Sequence, residues 1–333
     1  MTHRIAVIGL GGTIAMTSDA TSGAGAASDG LKPTRSIESL LPADLRNDPD
    51  LSLELIDRMT VGSANLTFAH IAAISDDVSA LAAKGCTGVV IVQGTDTIEE
   101  TAFLLELLTD GAIPVAVTGA MRGASHVSPD GASNIVGSVL AVMQAPAGQG
   151  VLVVLNDEVH AARHVRKAHT TALDAFRSGE TGPLGRLHEG RVRWRGVALP
   201  RLGRFPAPAP DAAPRVAIIK LGFDQDAALL QHLPQLGYRG CVVEAMGAGH
   251  APETLVPTLE HLAAVMPVIL CSRAADGAVC ERTYGYAGAE MDLLRRGLTP
   301  GGGLNPLKAR VLLTLCLLGE APAETFRQAC ALI

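Results

Sequence analysis

Thr13, Thr95, Asp96 and Lys167 are the residues whose types could attack a carbonyl carbon. A threonine hydroxyl is a weak nucleophile until a base takes its proton, and a lysine amine can serve when it is partly desolvated and held by an acidic neighbour. Arginine cannot, because it stays protonated. Lys167 directly after Arg166 therefore stands out in a chain with 5 lysines against 22 arginines. The competing reading of Thr95-Asp96 is a plain helix cap.

Position supports the chemical reading. Gly88-Val89-Val90-Ile91-Val92 is a short, unbroken β-branched run, the pattern of a parallel strand covered on both faces, and Gly94-Thr95-Asp96 closes it. A helix is predicted to follow at once, with Asp96-Thr97-Ile98-Glu99-Glu100 as its capped opening. A hydroxyl, a carboxylate and backbone donors are thereby gathered at one strand end.

Thr13 occupies an equivalent place. Arg4 to Ile8 reads as a buried strand and Gly9 to Ala15 as a glycine-rich turn beyond it. A dinucleotide fingerprint starting at Gly9 would need glycine where Ile14 stands, and no acidic residue closes a second strand at the expected distance. Residues 16–31 have no periodicity and read as a lid over the site. Leu51 to Met59 is a further strand, ending in a loop that carries Ser63.

Helices are expected over 36–41, 68–83, 97–109 and 131–143, and strands over 113–118 and 151–155. This alternation indicates an α/β fold: a larger N-terminal, doubly wound, mainly parallel sheet with ligands outside the strand carboxyl ends. From Val159 to Arg204 the pattern becomes irregular, with a hairpin strand over 191–199. Four prolines among alanines mark 206–214 as a linker. The expected division is thus 1–205 catalytic, 206–214 linker and 215–333 a smaller C-terminal α/β domain. That domain has strands over 216–221, 241–245 and 268–271, and helices over 226–236, 253–265, 290–296, 306–318 and 323–332.

Composition narrows the function classes. The chain has 333 residues, 48% of them hydrophobic, which is ample for packed cores. A net charge of -6 argues against a nucleic-acid partner. No apolar run approaches the roughly 18 residues that cross a bilayer, and the first strand begins too early for a visible signal peptide. Six scattered cysteines without a CxxC pair read as reduced residues of a cytoplasmic protein. His160 and His164 are spaced HxxxH, but Ala161 stands where zincins carry Glu, and no third ligand appears at recognisable spacing, so no metal is expected. The arginines from 186 to 204 alternate about Trp194, as on a solvated hairpin face.

Taken together, Gly11-Gly12-Thr13-Ile14-Ala15, Gly94-Thr95-Asp96-Thr97-Ile98-Glu99-Glu100-Thr101, Thr118-Gly119-Ala120-Met121-Arg122, Lys167 with Thr170-Thr171, and Leu304 to Arg310 resemble the bacterial-type L-asparaginases over nearly the whole chain. The resemblance implies hydrolysis of the side-chain amide of asparagine, with some action on glutamine, without metal or organic cofactor. It makes Thr13 the acylating nucleophile, and Thr95, Lys167 and Asp96 a second relay. Ser63 would bind the substrate carboxylate and Asp96 its ammonium, backbone donors near Thr95 and Ala120 would stabilise the oxyanion, and Gly12 would also line the substrate site. It also implies a homo-oligomer, a dimer or a tetramer of intimate dimers, in which Glu290 of the C-terminal domain completes the neighbour's site. Three positions depart from the family pattern: residues 16–31 contain no tyrosine, Ala64 stands where relatives have Gln or Glu, and His250 where some have Asn. The alternative is a catalytically weak homologue that senses a small amino acid or amide.

Overall fold

A computed structural model describes residues 2–12, 16–17, 32–33, 36–195 and 199–333, without the side chains of 16–17 and 32–33. The chain divides into two compact units, Met1–Arg201 and Leu202–Ile333.

In the first unit the apolar β-branched runs become strands of one eight-stranded sheet: β1 (His3–Gly9), β2 (Leu51–Asp57), β3 (Gly88–Val92), β4 (Val115–Thr118), β5 (Leu152–Leu155), β6 (Glu158–Ala161), β7 (Gly185–His188) and β8 (Arg191–Trp194). Their spatial order is β8-β7-β6-β5-β4-β3-β1-β2. The run from β2 to β5 is parallel, with Ile5 opposite both Leu53 and Gly88, and Val90 opposite Ala116. Chain direction across the sheet reverses between β1 and β3, and the crevice at such a reversal is where open α/β sheets bind ligands.

The longer helices of the unit among the described residues are α1 (Phe68–Ala83), α2 (Ile98–Leu108) and α3 (Gly131–Met143). Ile135, Val139 and Val142 of α3 join Ile5, Val7, Val90 and Val92 in one core. The strand period of two leaves the equally buried Ala6, Ile8, Val89 and Ile91 for the opposite face. α1 opens on a capping box, in which the Thr67 side chain accepts the His70 N–H and the His70 ring accepts the Thr67 N–H.

Where the sequence reads as irregular after Val159, the structure instead continues the sheet. β6 turns back antiparallel on β5, with Val153 opposite His160. The connection is the dipeptide Asn156-Asp157, both with positive φ (51° and 61°), the requirement of a tight hairpin whose twist matches its strands. Arg201 closes the unit by donating to the carbonyls of Glu106 (3.2 Å) and Thr109 (2.6 Å) at the end of α2. The expected strand over 191–199 ends at Trp194, and its residues 196–198 lie outside the described residues.

The second unit is a four-stranded parallel sheet in the order β9 (Val216–Lys220), β10 (Gly240–Ala245), β11 (Val268–Ser272) and β12 (Thr299–Pro300). Its longer helices are α4 (Val256–Val265), α5 (Glu290–Arg295), α6 (Pro306–Cys316) and α7 (Pro322–Cys330). The helix expected over 226–236 shrinks to Ala228–His232. Pro234 is the reason, since it lacks the N–H that would continue the hydrogen-bond ladder, even though Leu233 before it keeps helical backbone (φ -54°, ψ -44°). No helix among the described residues is long and apolar enough to cross a membrane.

Candidate active site

Three turns meet beyond the carboxyl ends of β1 and β3. The first carries Gly11 and Gly12, both at positive φ (94° and 92°). A Cβ on Gly12 would overlap the backbone of Gly94, so the two turns touch peptide to peptide. Thr13, the next residue, lies outside the described residues, as do residues 18–31 of the expected lid. The third turn is Ser63–Asn65. A Cβ on Gly94 would come within 2.7 Å of Ser63 Oγ, so a side chain there would push the serine hydroxyl aside.

Polar bonds fasten the Ser63 turn to the Thr95 turn. The Asp96 N–H donates to Ser63 Oγ (3.2 Å) and Thr97 Oγ1 donates to the Ser63 carbonyl (3.0 Å). Buried Gln93 donates through Nε2 to the Gly94 carbonyl (3.2 Å) and to Thr97 Oγ1 (3.4 Å). The sequence reading missed Gln93 and Thr97. The available signal was a polar side chain placed directly at the end of an all-apolar buried strand.

Thr95–Thr97 forms a single 3-10 turn ahead of α2, and no side chain caps either element. The expected cap is therefore replaced. The Asp96 carboxylate turns instead to Lys167, whose Nζ lies 2.7 Å from Asp96 Oδ1 and 2.9 Å from Thr95 Oγ1. Thr95 is buried, the Lys167 side chain is 17% exposed and that of Asp96 is 67% exposed. An amine held between a buried hydroxyl and a carboxylate open to solvent can pass protons between the interior and the crevice.

Lys167 is delivered by the two-residue strand Arg166–Lys167, antiparallel to Phe176–Arg177, with buried Phe176 opposite it and the Ala168 N–H bonded to the Ala175 carbonyl (2.7 Å). Ala120 sits buried just past β4. Asp130 accepts the N–H groups of Met121 (3.0 Å) and Arg122 (2.9 Å). Asn134 donates to the Gly119 carbonyl (2.9 Å) and accepts the Asn156 N–H (3.0 Å), pinning this corner between β4, α3 and the hairpin turn. Gly12, Ser63, Thr95, Asp96, Ala120 and Lys167 thus all fall in the first unit. Within it, contacts tie Gly12, Ser63, Thr95, Asp96 and Lys167 together.

Glu290 belongs to the second unit, at the start of α5, and is fully buried. Its Oε1 accepts the N–H groups of Tyr284 (2.7 Å) and Thr283 (2.9 Å). Burial opposes its ionisation, but those two N–H groups, with His250 nearby, outweigh it and hold the carboxyl below its ordinary value.

Among the described residues, no group of three or more His, Cys, Asp or Glu is placed to hold a metal ion. Burial pushes the thiols of Cys241 and Cys316 up to about 12 and that of Cys330 to about 11, which leaves them protonated and unreactive at neutral pH. His160 is buried, with Nδ1 at 2.9 Å from Ser178 Oγ, and His169 accepts the N–H groups of Thr171 and Ala172.

Both parts of the chain are similar to known proteins. Residues 4–199 match the family model described as asparaginase, N-terminal, and residues 215–329 match the glutaminase/asparaginase C-terminal domain. A probable L-asparaginase of Deinococcus radiodurans is 35% identical over 80% of this chain and 81% of its own length. A probable periplasmic L-asparaginase of Haemophilus influenzae is 32% identical over 97% of this chain and 91% of its own. Among solved structures, a probable cytoplasmic L-asparaginase from Campylobacter jejuni superposes with a TM-score of 0.83 at 29% identity, covering 99% of both chains.

Proposed function

The chain belongs to the bacterial-type L-asparaginase family and is an amidohydrolase of that type, and from that premise we propose that it hydrolyses the side-chain amide of L-asparagine to L-aspartate and ammonia through a threonyl ester. The observation that carries the proposal is the Thr95–Lys167–Asp96 contact, with Nζ at 2.9 Å and 2.7 Å from its two partners.

Thr13 is the nucleophile in this reading. Its oxygen bonds to the amide carbon, the carbon–nitrogen bond breaks, and the proton lost by the Thr13 hydroxyl ends on the nitrogen, which leaves as ammonia. Water then attacks the ester, the bond to the Thr13 oxygen breaks, and the proton the water loses passes by way of Thr95 and Lys167 to that oxygen. Backbone N–H groups near Thr95 and Ala120 receive the developing oxyanion. Ser63 binds the α-carboxylate and Asp96, with its exposed carboxylate, the α-ammonium. Glutamine, one methylene longer, is accepted more slowly.

The same reading assigns residues 1–205 the catalytic role and residues 215–333, with Glu290, the completion of a neighbouring subunit's site in a homodimer or homotetramer. Supporting the division into two domains is the match of both family domains in one chain. A cytoplasmic location is proposed on six free cysteines and on the likeness to the Campylobacter protein, a probable cytoplasmic L-asparaginase.

The test is ammonia release by the purified protein from asparagine, glutamine and amides without an α-carboxylate. Thr13→Ala is expected to abolish release from all of them. Turnover that survives Thr13→Ala rejects the nucleophile, and aspartate binding without ammonia release identifies a sensor instead of an enzyme.

A further inference from the structure

We propose that Tyr286, His250 and Glu290 form a proton relay in the C-terminal unit, with the Tyr286 hydroxyl as its outward-facing reactive group. The inference stands on that unit alone and does not require the amide-hydrolysis reading.

His250 bridges the other two residues. Its Nδ1 lies 3.0 Å from the Tyr286 hydroxyl and its Nε2 lies 3.4 Å from Glu290 Oε2. Nε2 and Oε2 are both buried, and among the described residues neither has a hydrogen-bond partner, so each is left to the other. Buried polar atoms are rarely abandoned, and two that face one another mark a proton position. The carboxylate fixes the imidazole proton on Nε2, which leaves Nδ1 to accept from the phenol.

The surroundings hold this order. Met246 and His250 bond backbone to backbone in both directions, at 2.9 Å and 2.8 Å. Gly249, at φ 114°, lets the chain pass where a Cβ would come within 2.7 Å of Val279. The His250 ring is edge-on to Tyr284, with centroids 4.9 Å apart, and to Tyr286 at 5.5 Å. Glu290 is held ionised by its two backbone donors, as described above.

A carboxylate orienting an imidazole that in turn accepts from a hydroxyl is the arrangement that activates weak nucleophiles. When the Tyr286 oxygen bonds to an electrophile, its proton passes to His250 Nδ1. The imidazolium so formed sits against Glu290, and the leaving group departs with its electron pair. The same oxygen can accept a proton from an ammonium or hydroxyl group of a ligand. The chain has three tyrosines. Tyr286 is 56% exposed and Tyr284 42%, so the second serves as an internal reference of similar access.

The experiment treats the full-length protein with a small arylsulfonyl fluoride, which adds to the phenol oxygen and releases fluoride. The modified tyrosine is located by peptide fragmentation over a time course. General-base assistance is worth on the order of a hundredfold, so Tyr286 is expected to react at least about tenfold faster than Tyr284. Glu290→Gln, which can still accept the backbone N–H groups, and His250→Asn are each expected to bring Tyr286 down to the Tyr284 rate. Selective 15N-histidine spectra are expected to show His250 protonated on Nε2 in the parent and not in Glu290→Gln. Equal rates in the parent protein, or an excess that survives Glu290→Gln, overturns the relay. Because labelling needs no amide turnover, its failure leaves the amidohydrolase reading standing, and loss of ammonia release leaves the relay standing.

Discussion

Replacing Lys167 by arginine separates charge from proton transfer. The guanidinium preserves a cation opposite Asp96 but cannot take a proton from Thr95. A positioned acid–base group contributes typically about 10²- to 10⁴-fold, so kcat is expected to fall by that factor, or about 2.7 to 5.4 kcal/mol in the barrier. Stability should hardly change. The Lys167–Asp96 pair has one partner 67% exposed, and such pairs contribute no more than about 1 kcal/mol. The assay is ammonia release at saturating asparagine, with a thermal midpoint measured on the same preparations. Lys167→Met should lose a similar factor, and the difference between the two variants isolates what the charge alone does. An arginine variant that keeps kcat within about tenfold of the parent at an unshifted midpoint would remove Lys167 from proton transfer, since even a weak general base exceeds that factor.

Other perturbations reach different parts of the molecule. Ser63→Ala should raise KM for asparagine about tenfold or more, the worth of one hydrogen bond to a charged group, while leaving KM for an amide without an α-carboxylate unmoved; equal effects on both substrates would deny Ser63 its assigned partner. Gly12→Ala drives a methyl into the Gly94 backbone from a positive-φ position and should lower stability by about 2 kcal/mol or more, read as a denaturant midpoint; an unchanged midpoint contradicts the contact. Asp292 is held below its ordinary pKa by the Gly288 N–H and by Arg296, against the opposing effect of burial. Its folded pKa is depressed, so its contribution is full above the unfolded value near about 3.9 and is lost as pH falls through the folded value. Asp292→Asn should therefore flatten the acid limb of the stability profile below about pH 4, and a limb of unchanged steepness would show that other carboxylates set it.

Much of the site was legible because its parts sit where secondary structure changes. The Gly88–Val92 run could only be a covered strand, and a hydroxyl and carboxylate directly after it could only lie at the sheet edge. Lys167 stood out by residue type against an arginine-rich background. What the sequence concealed depends on three-dimensional contact. Gln93 and Thr97 reveal themselves only when the Ser63 turn, some thirty residues earlier in the chain, is brought against them. Asn156-Asp157 carried a hairpin signal, yet it followed a strand whose predecessors all led into loops and helices, and that precedent hid the reversal into β6. The helix over 226–236 kept its apolar spacing past Pro234, and the proline decided the outcome. The pairing of His250 with Tyr286 spans 36 residues and had no local pattern to betray it.

The contact between Gly12 and Gly94 also limits how such a protein can be altered. Main-chain atoms alone set the gap between these two turns, so no exchange of side chains can widen or narrow it without moving the strands behind them. Selectivity among amides then has to be adjusted around the periphery, at places such as the exposed Ala64 beside Ser63, while the distance separating the two glycine-bearing turns behaves as a constant inherited with the sheet.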